Sequence, residues 1–336
     1  MKVLLLLNVD FTLLLKAVSW TLFHSLWLSA CAGVLVLIGE FIFPRKKFRF
    51  QYYFIVSFLL LLGILLLLKC AIEVQKAYSP DRLVDIRTLE ESVGPEGIGT
   101  FIHYFNEIAL VVFIVWILMA TTKLAILFHS YKQLNKLRTA GALLPDPKLE
   151  EWFQATKKEL GVKGHVGLIL TETVTAPVMI GYNRPTILLP ISLVSQLQVE
   201  QTKLIILHEL IHIKQKDGWI HGVEAILRCF LFFNPLFLWL CNVQEKRREI
   251  SCDQAVINYS KRKDVYIRTL VLAYEYAVNA TNKSVAFVGN GFSMRQRVEG
   301  LLQGYAKPNL LPALTVLAIS LLFLYILNPE FRSIAY

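Results

Sequence analysis

Long apolar stretches dominate the hydrophobic and polar pattern of this 336-residue chain. Four of them are long enough to cross about 30 Å of hydrocarbon as helices. They are Ala17–Phe43, Tyr52–Ile72, Ile108–Phe128 and Leu310–Leu327. The pattern predicts three transmembrane helices within residues 1–128, then a fourth helix with a short outer tail within 309–336. The composition agrees, because hydrophobic residues make up 55% of the chain and its mean hydropathy is +0.51.

The charges of the connecting loops predict how the spans are oriented in the lipid bilayer. Basic residues occupy the first loop at Arg45, Lys46, Lys47 and Arg49, and such loops stay in the cytoplasm. The next loop, 73–103, has six acidic and three basic residues, so we expect it outside. Residues 129–308 then return to the cytoplasm with a net charge of +8, from 23 basic and 15 acidic residues. Both termini are expected outside.

The sequence His208-Glu209-Leu210-Ile211-His212 is the strongest chemical signal. Two histidines four residues apart share one face of a helix and suit two ligands of a tetrahedral Zn²⁺, and the glutamate can deprotonate a bound water. The alternative is an amphipathic helix with two surface histidines. The many Leu and Ile residues around the motif favour burial, where a metal would satisfy the polar groups. We expect this helix to begin near residue 196, with Ser195–Gln198 as a capping box, and to end at Asp217-Gly218.

A second helix is predicted after the break at Asn234-Pro235. Glu245, Glu249 and Asp253 are spaced at i, i+4 and i+8 on it and share a face, while Arg247 and Arg248 are expected to point away. This face is either a solvated charged surface or a buried carboxylate face that completes a metal site. The apolar residues around it favour the buried face.

Three short β-rich segments precede the histidine helix, at 166–171, 178–180 and 186–189. In HExxH peptidases an edge strand commonly pairs with the substrate backbone. Gly181 and Tyr182, which follow the second segment, are therefore candidate substrate-strand residues, because glycine permits close approach of another backbone. The alternative is a structural hairpin.

Several motifs in order resemble the membrane-embedded, gluzincin-like peptidases of the BlaR/MecR type, the beta-lactam sensor-transducers. The resemblance covers nearly the whole chain. The matching segments are Ala176–Tyr182, Arg184–Pro190, the HExxHxxxxD from His208 to Asp217, Phe233–Phe237, the ExxCD from Glu249 to Asp253, and Arg295–Val298.

The resemblance implies a role for each candidate site residue. His208, His212 and Glu249 would bind Zn²⁺, with Glu245 as the fallback third ligand, and Glu209 would be the catalytic base. Asp253 would orient a ligand through a hydrogen bond. Asp217 would do the same or only close its helix.

The resemblance also implies an architecture and partners. The chain would be a polytopic α-helical protein of the bacterial inner membrane, with four spans and a cytosolic α+β gluzincin-like zinc metallopeptidase domain at 129–308. It would cleave a penicillinase-repressor-like protein and itself. The segment 279–300 is a candidate for the self-cleavage site. Whether the protein forms a homodimer is left open. Few residues follow the fourth span, so we expect the family's C-terminal penicillin-binding sensor to be lacking. Ser260–Lys263 spells SxxK, but on the cytosolic side.

Two other functions stay open. One is a quality-control or processing metallopeptidase similar to the HtpX or CAAX protease group. The other is a non-enzymatic signalling scaffold that zinc stabilises, although such a scaffold needs no base at Glu209. Direct nucleic-acid binding is not expected, because the basic charge comes without a nucleic-acid fold signature. The five cysteines do not form a disulfide pattern, and Cys252 is expected to be a buried packing residue.

Overall fold

The computed structural model describes residues 11–42, 48–77, 98–137, 146–281 and 294–304, together with residue 318. Apart from residue 318, the predicted fourth span lies outside these residues. Most of the predicted outer loop and the middle of segment 279–300 also lie outside them.

Three long helices carry the apolar stretches. They are α1 (Phe11–Ile42), α2 (Phe48–Ala77) and α3 (Ile98–Leu137). Within the described residues they contain three candidate membrane spans, Leu15–Gly39, Phe48–Ile72 and Glu107–Lys136. These spans agree with the first three predicted stretches. Many of their Leu, Ile and Val side chains point outward, as expected of helices that face lipid.

A small mixed sheet follows helix α4 (Pro147–Glu159). Its strands are β1 (Gly167–Thr171), β2 (Val178–Ile180) and β3 (Thr186–Pro190), in agreement with the predicted segments. The strand order is β1-β3-β2, with β1 parallel and β2 antiparallel to the central β3. All five residues of β3 are buried, so β3 belongs to the core and β2 is left at an edge.

Helix α6 (Val199–Gln215) carries the HExxH sequence and follows the short helix α5 (Ile191–Val194). The predicted start near residue 196 was wrong, because Ser195 closes α5 and its hydroxyl bonds back to the carbonyl of Ser192. The capping box is formed instead by Gln198 and Gln201. It lies three residues further along the chain.

The predicted end of the histidine helix also needs correction. Lys216 adopts the left-handed conformation, with φ of 59°, and this ends helix α6. Asp217 then begins α7 (Asp217–Phe230), where a carboxylate in the first turn is favourable for the helix dipole. Asp217 therefore does not close α6, and its side chain is available to the site.

Helices α7 and α8 (Pro235–Ser260) form a hairpin that begins its return at Asn234-Pro235, as predicted. Asn234 caps α8 by accepting a hydrogen bond from the backbone N–H of Phe237. Helices α9 (Lys263–Thr281) and α10 (Met294–Gln303) complete the fold. Residues of α4, the sheet, α6, α8, α9 and α10 share one apolar core, which fixes α6 and α8 side by side.

Candidate metal centre

Helices α6 and α8 bring His208, His212 and Glu249 to one point. The two Nε2 atoms are 3.0 Å apart. Glu249 Oε2 is 3.6 Å from Nε2 of His208, and Oε1 is 3.8 Å from Nε2 of His212. For a tetrahedral Zn²⁺ with bonds of about 2.0–2.1 Å, neighbouring ligand atoms are about 3.3 Å apart. The three distances lie around that value, so the site has the size that zinc requires.

Hydrogen bonds at the outer ring nitrogens show which way the two imidazoles present their lone pairs. His212 Nδ1 is 2.7 Å from Asp217 Oδ2, and a carboxylate there accepts the Nδ1 proton. Tyr266 donates its hydroxyl proton to Asp253 Oδ1 at 2.7 Å, so its oxygen accepts from His208 Nδ1 at 3.0 Å. Nε2 is therefore the nitrogen of each ring that remains for a metal, and the two Nε2 atoms face each other inside the cluster. A cation between them would be bound by both rings, and partners of this kind on Nδ1 are typical of metal-ligating histidines.

Arg297 on α10 closes the cluster from the side of His208. Its guanidinium is buried and binds both oxygens of Asp253, at 2.5 and 3.0 Å. Its Nη1 also lies 3.3 Å from Glu249 Oε2. Burial opposes the charge of Arg297, but the carboxylates of Asp253 and Glu249 raise its pKa well above the ordinary value, so it remains a cation. The sequence marked Arg295–Val298 only as one of the matching segments. No feature of that segment indicated that Arg297 enters the site.

Glu249 is held as a carboxylate. Burial alone would raise its pKa, but His212, Arg297, His208 and Arg248 together lower the pKa well below the usual value. Arg248 was expected to point away from the acidic face. That was wrong, because its Nη2 lies 3.2 Å from Glu249 and 3.8 Å from Glu245. An ionised Glu249 is the form that a metal needs.

The remaining predicted carboxylates take different places. Asp253 is fully buried against Tyr266 and Arg297, and it reaches His208 through Tyr266. Asp217 contacts His212 directly. Glu245 lies beside Arg248 and is absent from the possible metal-binding groups of the described residues.

Tyr52 is a site residue that sequence reasoning missed. It lies in the candidate span of α2, is fully buried, and donates a 2.7 Å hydrogen bond to Asp217 Oδ1. The sequence indicated only the start of an apolar stretch there. The contact joins residues 165 positions apart, so no local pattern could have predicted it.

Cys252 is buried, as expected, but it also touches the site. Its sulfur is 3.3 Å from His212 Nδ1 and 3.7 Å from Asp217 Oδ2, and these three residues form a second possible metal group. Burial raises the pKa of the Cys252 thiol to about 11. Because metals bind the thiolate and Nδ1 of His212 is already bonded to Asp217, the donor set of His208, His212 and Glu249 fits a metal better.

A cavity of about 410 Å³ opens over the three ligands. Glu209 lines it, as do β2 and the following residues Gly181 and Tyr182. Gly181 has a φ of 87°, a conformation that favours glycine. The ring of Tyr182 stacks on Tyr131 of α3, with ring centres 5.8 Å apart. The cavity thus joins Glu209, the three candidate ligands and an edge of β2 that no other strand of the described residues covers.

Comparison with known proteins identifies the family of the chain. The family model described as BlaR1 peptidase M56 matches residues 20–301. The regulatory protein BlaR1 of Bacillus licheniformis is 28% identical over 180 residues, which cover 50% of this chain and 30% of that protein. The methicillin resistance mecR1 proteins of Staphylococcus aureus strain Mu50 and Staphylococcus epidermidis are each 20% identical over 211 residues, covering 61% of this chain and 36% of theirs.

The match thus spans about a third of the length of these curated relatives. The family match covers most of the present chain, including both histidines, Glu249 and Arg297. The chain belongs to the BlaR1 peptidase M56 family.

Proposed function

We propose that this protein is a membrane-embedded zinc endopeptidase of the signal-transducing type, with a gluzincin-like catalytic domain at 129–308 on the cytosolic side of a bacterial inner membrane. Its substrate is a cytosolic repressor-like protein. The observation that carries the proposal is the convergence of His208, His212 and Glu249 under a cavity that Glu209 also lines.

The residues divide the chemistry between them. When bound by His208, His212 and Glu249, Zn²⁺ would polarise the scissile carbonyl and lower the pKa of water to roughly 7. Glu209, between the two histidines on α6, takes the proton of the attacking water and returns it to the leaving amine. Asp217, and Asp253 through Tyr266, hold the imidazoles so that both Nε2 atoms would face a bound metal. Arg297 and His221 line the same cavity and are the candidate donors to the tetrahedral oxyanion.

The edge of β2 is the proposed binding site for an extended substrate strand. An extended peptide that pairs with β2 would lie along the cavity wall and cross the metal ligands. Gly181 leaves room beside this edge, and Tyr182 closes its end against Tyr131 and Trp219. Pairing through the backbone tolerates different side chains, so specificity comes from the cavity walls.

The likeness to regulatory proteins favours this function over that of a quality-control or processing peptidase. The position of Glu209 in the cavity wall favours an enzyme over a zinc-stabilised scaffold. Self-cleavage within 279–300 is a second activity of the same site under this proposal.

The test compares the purified wild-type protein with Glu209→Gln, each loaded with one equivalent of zinc. Each is mixed with a purified penicillinase-repressor-like protein, and intact masses are recorded. The wild type should fragment the repressor and shorten itself, while Glu209→Gln should keep zinc and leave both proteins intact. A repressor that stays intact with the wild type rules out this substrate. Equal fragmentation by both proteins rules out Glu209 as the base.

A further inference from the structure

The turn between α7 and α8 packs deep among the long helices. Asn234 is fully buried, and its side-chain amide donates to the carbonyl of Ser25 at 3.0 Å and to the hydroxyl of Ser29 at 2.9 Å, both on α1. From α3, Trp116 donates to the carbonyl of Phe230 at 2.9 Å. Two candidate spans therefore hold the turn by hydrogen bonds.

The positions of these contacts along the spans give the depth of the turn. Ser25 lies 14 residues before Gly39, the end of its span, which is about 21 Å along a helix. On α2, a β-carbon built on Gly63 would lie 3.7 Å from Leu227 of α7, and Gly63 is about 22 Å from the Phe48 end of its span.

Both depths are measured from the same side of the membrane. Gly39 and Phe48 are the facing ends of consecutive spans, and the hydrogen bond from Tyr52 to Asp217 places the metal centre on that side. Helix α8 returns toward the side of the metal centre, because Trp239 of α8 packs near Gly33. Gly33 is only about 9 Å along α1 from Gly39. Each of the two consecutive spans has 25 residues, about 37 Å along a helix, so the tip of the hairpin lies just past their midpoint and near the middle of a hydrocarbon layer of about 30 Å.

Polar groups at the tip of the hairpin and on α7 are paired internally, as hydrocarbon requires, whereas the buried amide of Gln244 on α8 has no partner among the described residues. The N–H of Leu231 bonds to the carbonyl of Leu227, and that of Asn234 to Leu231. The side-chain oxygen of Asn234 accepts from Phe237. On α7, Arg228 and Glu224 form an ion pair at 2.7 Å. A hairpin with these groups paired internally can enter a bilayer.

The outer face of α7 is apolar and is exposed in the part of the chain that the structure describes. Val223 and Ile226 are 42% and 48% exposed, and Trp219, nearest the metal end, is 52% exposed. Tryptophan is typical of the membrane–water interface, and aliphatic residues are typical of the hydrocarbon below it. We propose that the α7–α8 hairpin is re-entrant: it enters the bilayer from the metal side, and lipid acyl chains cover the outer face of α7.

This placement puts the two ends of α8 in different environments. The helix begins at mid-bilayer beside Asn234, and about 22 Å further along its axis it reaches Glu249 at the candidate metal centre. The proposal does not depend on the catalytic function, because it rests on the contacts with α1, α2 and α3.

The experiment uses the wild-type protein in vesicles that contain a phosphatidylcholine with a diazirine at the end of one acyl chain. After irradiation, adducts are mapped by mass spectrometry. Adducts are expected on Val223, Ile226 and the turn, at a yield within about threefold of that on the exposed leucines of α2. Val199 is the internal control, because it is 68% exposed at the start of α6, away from the spans, and should remain unlabelled.

A second arm places the diazirine on the lipid headgroup. That probe should label the region of Trp219 and spare Ile226. Adducts on the three spans without any on 223–233 would overturn the proposal. Equal labelling of Ile226 by both probes would overturn the assigned depth.

Discussion

Tyr52 donates a 2.7 Å hydrogen bond to Asp217, and the other carboxylate oxygen of Asp217 holds Nδ1 of His212 at the same distance. A residue of a candidate membrane span is thus two hydrogen bonds away from a proposed metal ligand. Because hydrogen-bond partners of this kind fix the orientation and basicity of a ligating histidine, the position of α2 influences the metal centre directly.

Replacing Tyr52 with Phe should weaken zinc binding by about 10-fold or more, since Asp217 loses the donor to its Oδ1 and holds His212 less firmly. Competition with a chromophoric chelator measures the affinity. Tyr53→Phe is the matched control, because the Tyr53 hydroxyl reaches only the backbone carbonyl of Gln215, at 3.4 Å. Equal zinc affinities for the two variants would show that the hydrogen bond from α2 does not support the site.

Removing the guanidinium of Arg297 should destabilise the protein. Arg297→Met leaves the buried carboxylate of Asp253 without its cation, a change that typically costs about 3–5 kcal/mol. The loss of stability is measured by thermal unfolding in detergent. Arg295→Met on the same helix is the control, because Arg295 is exposed and its ion pair among the described residues is with the exposed Glu299. Identical unfolding temperatures for the two variants would contradict a structural role of the Arg297 cluster.

Cys252 should be dispensable for the metal. Cys252→Ala is expected to retain one zinc per chain, because the thiol is protonated and Nδ1 of His212 is bonded to Asp217. Elemental analysis of the dialysed variant measures the zinc content. Loss of zinc in this variant would instead assign the metal to His212, Asp217 and Cys252.

A side chain at position 181 should affect cleavage more than metal binding. Gly181→Ala strains a backbone with φ of 87° and adds a β-carbon beside the proposed substrate strand, so cleavage of the repressor should slow while zinc is retained. Gly161→Ala is the control, because Gly161 has a similar φ of 71° and does not line the metal cavity. Equal slowing in both variants would attribute the effect to backbone strain alone.

Periodicity and length were sufficient to predict the elements that carry the site. The apolar stretches indicated α1, α2 and α3, and the β-rich segments indicated the strands. The HExxH and ExxCD motifs marked both helices that meet at the metal centre.

The surroundings of the ligands could not be predicted in the same way. Tyr52 and Arg297 reach the site from helices distant in sequence, and only packing brings them there. The capping box was displaced because Ser195 was already used by α5. Arg248 was misjudged because helical spacing alone does not show how far a long side chain bends toward a neighbouring carboxylate.

Zinc stoichiometry of the purified protein tests the central claim most directly. Samples of the wild type, Glu249→Gln and Glu245→Gln are dialysed without chelator and analysed for metal. The wild type and Glu245→Gln should each retain about one zinc per chain, whereas Glu249→Gln should lose most of it, because Glu249, and not Glu245, shares the point where the two Nε2 atoms meet. A wild type without zinc, or a Glu249→Gln variant that holds as much zinc as the wild type, would contradict the proposed metal centre.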